Sequence, residues 1–180
     1  MATLTIREMP FTAYHLGPGA AIKAIMPRHF SFSVFCLAQI VTDCETGYHL
    51  VRGEWPLHRW LHTYAGASVV AGLCVLIGRP FRRAAVRLWH LWRSAPFKRY
   101  LSVSDDTSFV STVMGAFLGT YSHVFLDSLM HGDIEPFWPW STANPLYHFI
   151  NIFVLHALCL LLGIIGVWYS VSVSINSRSR

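Results

Sequence analysis

Two short pairs of side chains in this sequence have the spacing of metal ligands. His58 and His62 are four residues apart, and His123 and Asp127 repeat that spacing with a carboxylate in the second position. On an α-helix, residues four apart lie on one face, about one turn from each other, so each pair could ligate a single ion. The two pairs together predict a metal site, and the alternative is a structural His–Asp hydrogen bond in a helix seam.

Further candidate ligands precede these pairs. Asp43 and Glu45 follow an apolar segment directly. Acids at the end of a helix oppose its dipole, so a nearby cation would offset them. His15 stands at the start of the first predicted helix and would come to lie beside Asp43 if the first two helices form a hairpin. We therefore expect the metal ligands to come from His15, Asp43, His58, His62, His123 and Asp127.

Imidazoles mixed with carboxylates favour zinc among the common metals, and manganese or iron would also fit. A bound ion would lower the pKa of a water and supply a nucleophile near neutral pH. A carboxylate that is not a ligand could act as general base, which makes Glu45 and Asp127 catalytic candidates. Arg59 could clamp an anionic group such as phosphate, and otherwise it is an arginine whose charge reaches the membrane surface.

The composition places these residues in a membrane protein. The chain has 180 residues, of which 53% are hydrophobic and only 13% charged, and its mean hydropathy is +0.42. A soluble domain carries about 25% charged residues. The net charge of +5 does not indicate nucleic-acid binding, because the basic residues are not interleaved with stacking aromatics. The four cysteines form no CxxC, so neither a disulfide framework nor a four-cysteine zinc site is indicated.

Five helices are predicted, and they make up a single all-α domain, a polytopic transmembrane bundle of four to five helices with the metal site at one end. Their expected bounds are about 14–26, 30–41, 58–78, 104–130 and 144–174, with a polar tail at 174–180. The segment 79–103 is expected to be a basic loop, and it could also form an amphipathic interfacial helix. The first two helices are short for a bilayer, which needs about 20 apolar residues. The fourth would start on the Ser104-Asp105 cap, and the fifth on Asn144-Pro145.

Antiparallel neighbours would separate the charges of this bundle. The basic loop would lie at one end, and most acids and histidines at the other. Because lysine and arginine collect on the cytoplasmic side, the metal site would face away from the cytoplasm. Gly115 and Gly119 share a helix face with His123 and Asp127, which predicts a tight helix seam that opens into the polar site.

In order along the chain, these motifs resemble the YdjM-like family of bacterial inner-membrane proteins, which are described as metal-dependent hydrolases. The resemblance lies in Tyr14-His15, in TDCE ending at Glu45, in HRWLHT from His58, and in GTYSHVFLD from Gly119 to Asp127. The sequence departs from the family pattern at Thr42, where the family has proline, and the segment HRWLHT is one residue shorter. The resemblance implies a helical membrane scaffold and metal-dependent hydrolysis, and a distant similarity to zinc-dependent phospholipase C.

The leading hypothesis is therefore a multi-pass protein of the bacterial inner membrane that hydrolyses a phosphoester of a small-molecule or lipid substrate with a metal-activated water. The alternative is a non-enzymatic, metal-stabilised adaptor that binds a partner through its basic loop. A transporter is less favoured, because transport requires polar residues through the full depth of the membrane.

Overall fold

The computed structural model describes residues 13–92 and 108–176, and within them every regular element is a helix. This confirms the all-α class. The α-helices are α1 (Leu16–Ile25), α2 (Phe32–Arg52), α3 (Tyr64–Trp92), α4 (Phe109–Met130) and α5 (Ile152–Asn176). Short 3-10 helices at Ala13–His15 and Trp60–His62 precede α1 and α3.

Three of the helices are long and apolar enough to cross a membrane. These candidate spans are Tyr64–Ala84, Phe109–Met130 and Ile152–Asn176. Helix α5 is the most apolar of them and leaves large side chains such as Phe153, Leu160 and Ile164 exposed. An exposed apolar helix face of this size is unfavourable in water and suits a lipid surround. The fold is therefore compatible with a multi-pass membrane protein.

Hydrogen bonds between helix ends establish the direction of the helices. The amide of Ser31 donates to the carbonyl of Ser111 at 3.0 Å, which joins the starts of α2 and α4 and makes these two helices parallel. The amide of Tyr64 donates to the carbonyl of Pro136 at 2.9 Å, which joins the start of α3 to the segment that follows α4. Helix α3 therefore runs antiparallel to α2 and α4, and the loop before α3 meets the C-terminal end of α4.

Helices α2 and α4 approach closely along two glycines. A Cβ on Gly115 would fall 2.5 Å from the carbonyl oxygen of Ser31, and one on Gly119 would fall 2.7 Å from the Cβ of Ala38. This confirms the predicted tight seam. Because the two helices are parallel and in contact here, residues one turn beyond each contact face each other, and Asp43 of α2 comes opposite His123 of α4.

Two predicted helix ends are wrong, because the helices run on. Helix α2 continues past Val41 to Arg52 and ends at Gly53, which has φ +66, so Asp43 and Glu45 lie inside the helix rather than after it. Helix α3 continues through Pro80 to Trp92, so the first part of the predicted basic loop is helical. Proline removes one backbone donor, and the residues after it are mostly good helix formers. The rest of that loop, from residue 93, lies outside the described residues.

Two predicted helix starts also differ. His58 is not helical and His62 closes a 3-10 turn, because α3 begins only at Tyr64, where the Thr63 hydroxyl accepts from the amide of Gly66 at 2.9 Å. Helix α5 begins at Ile152, since His148 has φ 63 and Asn151 accepts from the amide of Phe153 at 2.9 Å as a cap.

At the start of α4 the described cap is Ser108, whose side chain accepts from the amide of Ser111. The predicted cap at Ser104 lies outside the described residues. The end of the predicted polar tail, from residue 177, also lies outside them, and its first residues belong to α5.

Candidate metal centre

Four side chains from three elements converge at one end of the α2–α4 seam. They are Asp43 from α2, His62 from the 3-10 turn before α3, and His123 and Asp127 from α4. Each offers one ligand atom, and these four atoms all lie within 4.8 Å of one another. His62, His123 and Asp127 are buried, and Asp43 is half-buried. A His/Asp group of this kind could bind a metal ion.

The ligand atoms are spaced as the corners of a coordination shell. Nε2 of His123 lies 3.0 Å from Oδ2 of Asp127 and 3.2 Å from Oδ1 of Asp43. Nε2 of His62 lies 3.6 Å from the same Asp127 oxygen and 4.0 Å from the same Asp43 oxygen. Zinc bonds of about 2.0–2.1 Å would place the corners of a tetrahedron about 3.3 Å apart. The observed separations bracket that value.

Nε2 of His123 is buried and has no hydrogen-bond partner in the described part of the chain, although two carboxylate oxygens lie near it. Neither oxygen lies where an N–H on Nε2 would point. A buried polar atom without a partner costs about 1–3 kcal/mol, so it calls for an explanation. A lone pair directed at a cation that both carboxylates also approach accounts for this geometry.

Gln39 determines which nitrogen of His123 carries the proton. Its Nε2 donates to the carbonyl of Gly119 at 3.1 Å, so its Oε1 faces the ring and accepts from Nδ1 of His123 at 2.5 Å. In the neutral form with its proton on Nδ1, the ring would present its Nε2 lone pair to Asp43 and Asp127. This is the way in which an outer hydrogen bond orients a metal-binding histidine.

Glu45 does the same for His62. Its Oε2 accepts from Nδ1 of His62 at 3.1 Å and from the amides of Arg59 and Leu61, both at 3.0 Å. Burial alone would raise the pKa of Glu45, but these hydrogen bonds lower it below its ordinary value. The carboxylate is therefore an ionised anchor for the loop and for His62. On the other side of that ring, Nε2 has only a long contact of 3.4 Å with the hydroxyl of Thr46.

His15 approaches the group from the start of α1. Its Nε2 lies 3.3 Å from Oδ1 of Asp127, the oxygen that faces away from His123, and its ring packs edge-on against His123 at 5.0 Å. Burial lowers the pKa of His15 to about 4 and also lowers the pKa of His62. Both imidazoles are therefore neutral at pH 7, which is the form that a metal binds.

His58 lies beside this group with partners of its own. Its Nδ1 donates to Oδ1 of Asp133 at 3.0 Å, and its ring packs against His62 at 4.7 Å and against His131 at 4.4 Å. The loop therefore brings His58 and His62 together without the helical geometry that the sequence predicted. Burial alone would raise the pKa of Asp133, but its hydrogen bonds with His58 and the neighbouring amides lower it to about 2.

Arg59 is the predicted site residue that the structure places outside the cluster. Its Nε donates to the carbonyl of Pro56 at 3.0 Å, and its terminal nitrogen lies 3.6 Å from Glu54. The side chain is 38% exposed. Its charge therefore lies at the surface of the loop rather than among the ligand atoms.

Sequence reasoning did not include Gln39, His131 and Asp133 among the site residues. Gln39 has a recognisable signal, because it is an amide in an apolar helix, one turn before Asp43. His131 and Asp133 follow the end of α4 in the segment His-Gly-Asp. Their role depends on the loop before α3, which no local pattern places.

Comparison with known proteins gives no relative for this chain: no protein-family model, no curated protein and no solved structure matches it. The donor atoms of the cluster and their surroundings are therefore the features that indicate a function.

Proposed function

We propose that this protein is a membrane-bound, metal-dependent hydrolase that cleaves a phosphoester in a lipid-like substrate. The observation that carries the proposal is the buried group of two imidazoles and two carboxylates, in which each imidazole is oriented by a separate acceptor. A buried carboxylate pair without a cation is costly, and imidazoles that other side chains already orient are prepared to bind one. The motif resemblance to the YdjM-like family supports the same reading.

Zinc is the metal that we propose for this group. Two nitrogen and two oxygen donors within 4.8 Å of one another suit it, and manganese or iron(II) would accept the same donors with added water ligands. A divalent ion held here would lower the pKa of a bound water to about 7 and stabilise charge on a phosphoryl oxygen.

The protein's own residues would divide the remaining work. Asp43 is the member of the group that reaches partial exposure, so substrate would approach past it. Asp127 holds one oxygen near His123 and the other near His15, and the oxygen near His15 could accept a proton from a water bound to the metal. Glu45 would act as a positioning residue for His62, because backbone amides and the His62 ring already occupy its carboxylate.

A lipid-like substrate fits the surroundings of the cluster. Trp60, Phe137, Trp138 and Trp140 are exposed at this end of the bundle. Tryptophan collects at the headgroup level of membranes, where its ring is apolar and its N–H is wet. A centre at this level would meet a phosphodiester headgroup without extracting the lipid.

Among the described basic residues, Arg52 and Arg59 lie at the same end as the cluster, while Lys23, Arg28 and the four arginines between positions 79 and 87 lie toward the opposite end. By the positive-inside rule, this excess favours a centre on the non-cytoplasmic face, which we propose to be that of the bacterial inner membrane.

The test combines metal content with turnover on purified protein in detergent. We expect about one or more equivalents of zinc in the wild type, and metal-dependent cleavage of bis(p-nitrophenyl) phosphate or of phosphatidylglycerol in mixed micelles. Asp127→Ala should remove the activity, while His29→Ala, an exposed histidine near the other end of the bundle, should not. Turnover that survives in Asp127→Ala would reject this cluster as the catalytic centre, and no turnover of either substrate by fully metal-loaded wild type would reject phosphodiester hydrolysis.

The adaptor hypothesis makes a different prediction from the same protein. Arg83 and Arg87 are exposed on the C-terminal half of α3, whereas Arg82 is buried, so a partner would contact the first two. This hypothesis expects bound metal without turnover. It also expects that Arg83→Gln with Arg87→Gln abolishes partner binding while the metal content stays unchanged.

A further inference from the structure

A second group of ligand-type side chains adjoins the first. His58 lies in the loop before α3, and His131 and Asp133 follow the end of α4. Each offers one ligand atom, and these atoms lie within 4.8 Å of one another. The rings of His58 and His131 face each other at 4.4 Å with a tilt of 31°. Within the described residues, the His131 ring makes no hydrogen bond, so its nitrogens are available to a ligand.

The carboxylate of Asp133 is held in place for such a role. Its Oδ2 accepts from the amides of Leu57 at 3.0 Å and His58 at 3.2 Å. These bonds fix the carboxylate to the loop and leave Oδ1 3.0 Å from Nδ1 of His58, so an ion that displaces the Nδ1 proton could bind both atoms. A ligand that is already anchored loses little conformational freedom when an ion binds.

The two adjoining groups and Glu45 together carry more negative charge than one divalent ion would neutralise. Four carboxylates, from Asp43, Glu45, Asp127 and Asp133, have side chains that are only 4% to 11% exposed. In the described ranges, no lysine or arginine forms an ion pair with any of them, and all their ion-pair partners are histidines. Buried charges are paired or coordinate metals. Two divalent cations would balance four carboxylates with every imidazole neutral.

We infer that the protein binds a second divalent cation, through His58, His131 and Asp133, next to the proposed first centre. The two groups are adjacent, since the rings of His58 and His62 are 4.7 Å apart. The second group has three protein ligands where the first has four, so it leaves a coordination position for water or substrate. His131 is half-buried, whereas the side chains of His58 and Asp133 are only 4% and 7% exposed, so we expect that open position beside His131. The inference deepens the proposed metal centre and does not depend on hydrolysis.

The test is the stoichiometry and coupling of bound metal, with no substrate present. Apo protein in detergent is titrated with Mn²⁺, and bound metal is counted by mass spectrometry after gel filtration. We expect about two equivalents in the wild type and about one in His131→Gln. His29→Ala, which also removes one histidine, is the matched control and should retain two equivalents of Mn²⁺. Adjacent Mn²⁺ ions should also give an exchange-coupled electron paramagnetic resonance spectrum, which His131→Gln converts to that of an isolated ion.

Each outcome is decisive. One equivalent in saturated wild type, unchanged in His131→Gln, overturns the second site. Two equivalents in His131→Gln overturn it as well, because the second ion would then lie elsewhere. If His131→Gln is recovered unfolded by its helical circular dichroism, Asp133→Asn is counted in its place against the same two values. Two ions in a protein without phosphoesterase activity would support this inference and reject the proposed function, so the two can fail separately.

Discussion

At the scale of single residues, the centre depends on two acceptors that are not themselves among the proposed ligands. Gln39 receives the Nδ1 proton of His123, and Glu45 receives that of His62. In both rings Nε2 is then the atom that faces Asp43 and Asp127. The chain uses an amide in the buried seam and a carboxylate in the loop, because only the loop offers backbone amides to share a full negative charge.

Replacing Gln39 should weaken metal binding without removing a ligand. In Gln39→Leu, His123 loses the acceptor that fixes its tautomer. We expect a loss of zinc affinity of about 10- to 100-fold, which is typical when a hydrogen-bond partner of a metal-binding histidine is removed. The affinity is measured by competition with a chromogenic chelator. Gln39→Glu keeps an oxygen acceptor and should bind zinc about as tightly as the wild type. Equal affinities in Gln39→Leu and wild type would show that Gln39 has no such role.

Replacing Glu45 should loosen the loop in a pH-dependent way. Glu45→Gln puts an amide donor opposite the N–H groups of Arg59 and Leu61, which costs about 1–3 kcal/mol at pH 7. The folded-state pKa of Glu45 is lowered, so its contribution is complete above the unfolded value of about 4.3 and disappears as pH falls through the folded value.

Thermal melting of both proteins between pH 7 and pH 3 checks this, and the two curves should converge toward the acid end. Glu135→Gln, a change at an exposed glutamate whose side chain forms no hydrogen bond or ion pair within the described residues, should melt like the wild type. A constant difference between wild type and Glu45→Gln at every pH would contradict the role of the charge.

At the scale of elements, the distances between the proposed ligands depend on the register between the helices. Its ligands come from α2, from the turn before α3 and from α4, so a shift of one helix along another separates them. The register of α2 on α4 is set where glycines let the backbones touch. The register of the loop is set by Glu45, and by Asp133, which accepts from the amides of Leu57 and His58.

A methyl group in the seam should therefore damage a site that it does not touch. In Gly119→Ala the new Cβ would lie 2.7 Å from the Cβ of Ala38 and 2.9 Å from the carbonyl oxygen of Phe35. The helices must separate, at a cost of about 1–3 kcal/mol, and Asp43 moves away from His123. We expect a lower melting temperature together with weaker zinc binding.

The matched control is Gly72→Ala on α3, where a Cβ meets nothing within 4 Å. Alanine is the better helix former by about 1 kcal/mol, so this variant should melt at or above the wild-type temperature and bind zinc normally. Normal zinc binding in a destabilised Gly119→Ala would mean that the seam stabilises the fold without setting the site.

At the scale of the whole molecule, a buried polar centre lies toward one end of an otherwise apolar bundle. The candidate spans α3, α4 and α5 carry their exposed apolar side chains outward, while the ionisable groups gather inside near the C-terminal end of α4. Ionisable residues within or next to a membrane segment are costly unless paired or functional. The two ends of the bundle therefore differ in chemistry, and this difference predicts how the protein is oriented in the membrane.

Cysteine labelling in intact cells tests that orientation. In a Cys44→Ser background, which removes the exposed native thiol, we expect Trp140→Cys to react with a membrane-impermeant maleimide. His29→Cys, near the opposite end, should react only after the membrane is permeabilised. The reverse pattern would place the centre on the cytoplasmic face, against the positive-inside rule.

Bound metal should stabilise the folded protein, and the stabilisation should be larger at a pH where the histidines are neutral. Zinc at about 100 times its dissociation constant should add about 2.7 kcal/mol, seen as a rise in melting temperature that EDTA reverses. Protons compete for the same nitrogens, so the rise should be larger at pH 7.5 than at about pH 5. A zinc-independent melting temperature at pH 7.5 would mean that the cluster holds no metal.

Local patterns in the sequence were sufficient for the helical class, the glycine seam on α4 and most of the residues that meet at the cluster. Apolar runs and the four-residue spacing of His123 and Asp127 are properties of a single helix, so they can be recognised without knowing what that helix packs against. The ends of α2, α3 and α5 were not readable in this way. They depend on Gly53, on helix continuation through Pro80 and on the cap at Asn151, where several local signals compete.

The tertiary structure decided what each polar residue contacts. Arg59 faces Glu54 because the loop turns its guanidinium outward, and Glu45 bonds amides because that loop folds over α2. His58 and His131 are 73 positions apart and meet only because the loop before α3 and the end of α4 lie at the same end of the bundle. Sequence alone determined which chemical groups this chain has available. Helix register and loop path, set by contacts between distant residues, determined which of those groups share a site.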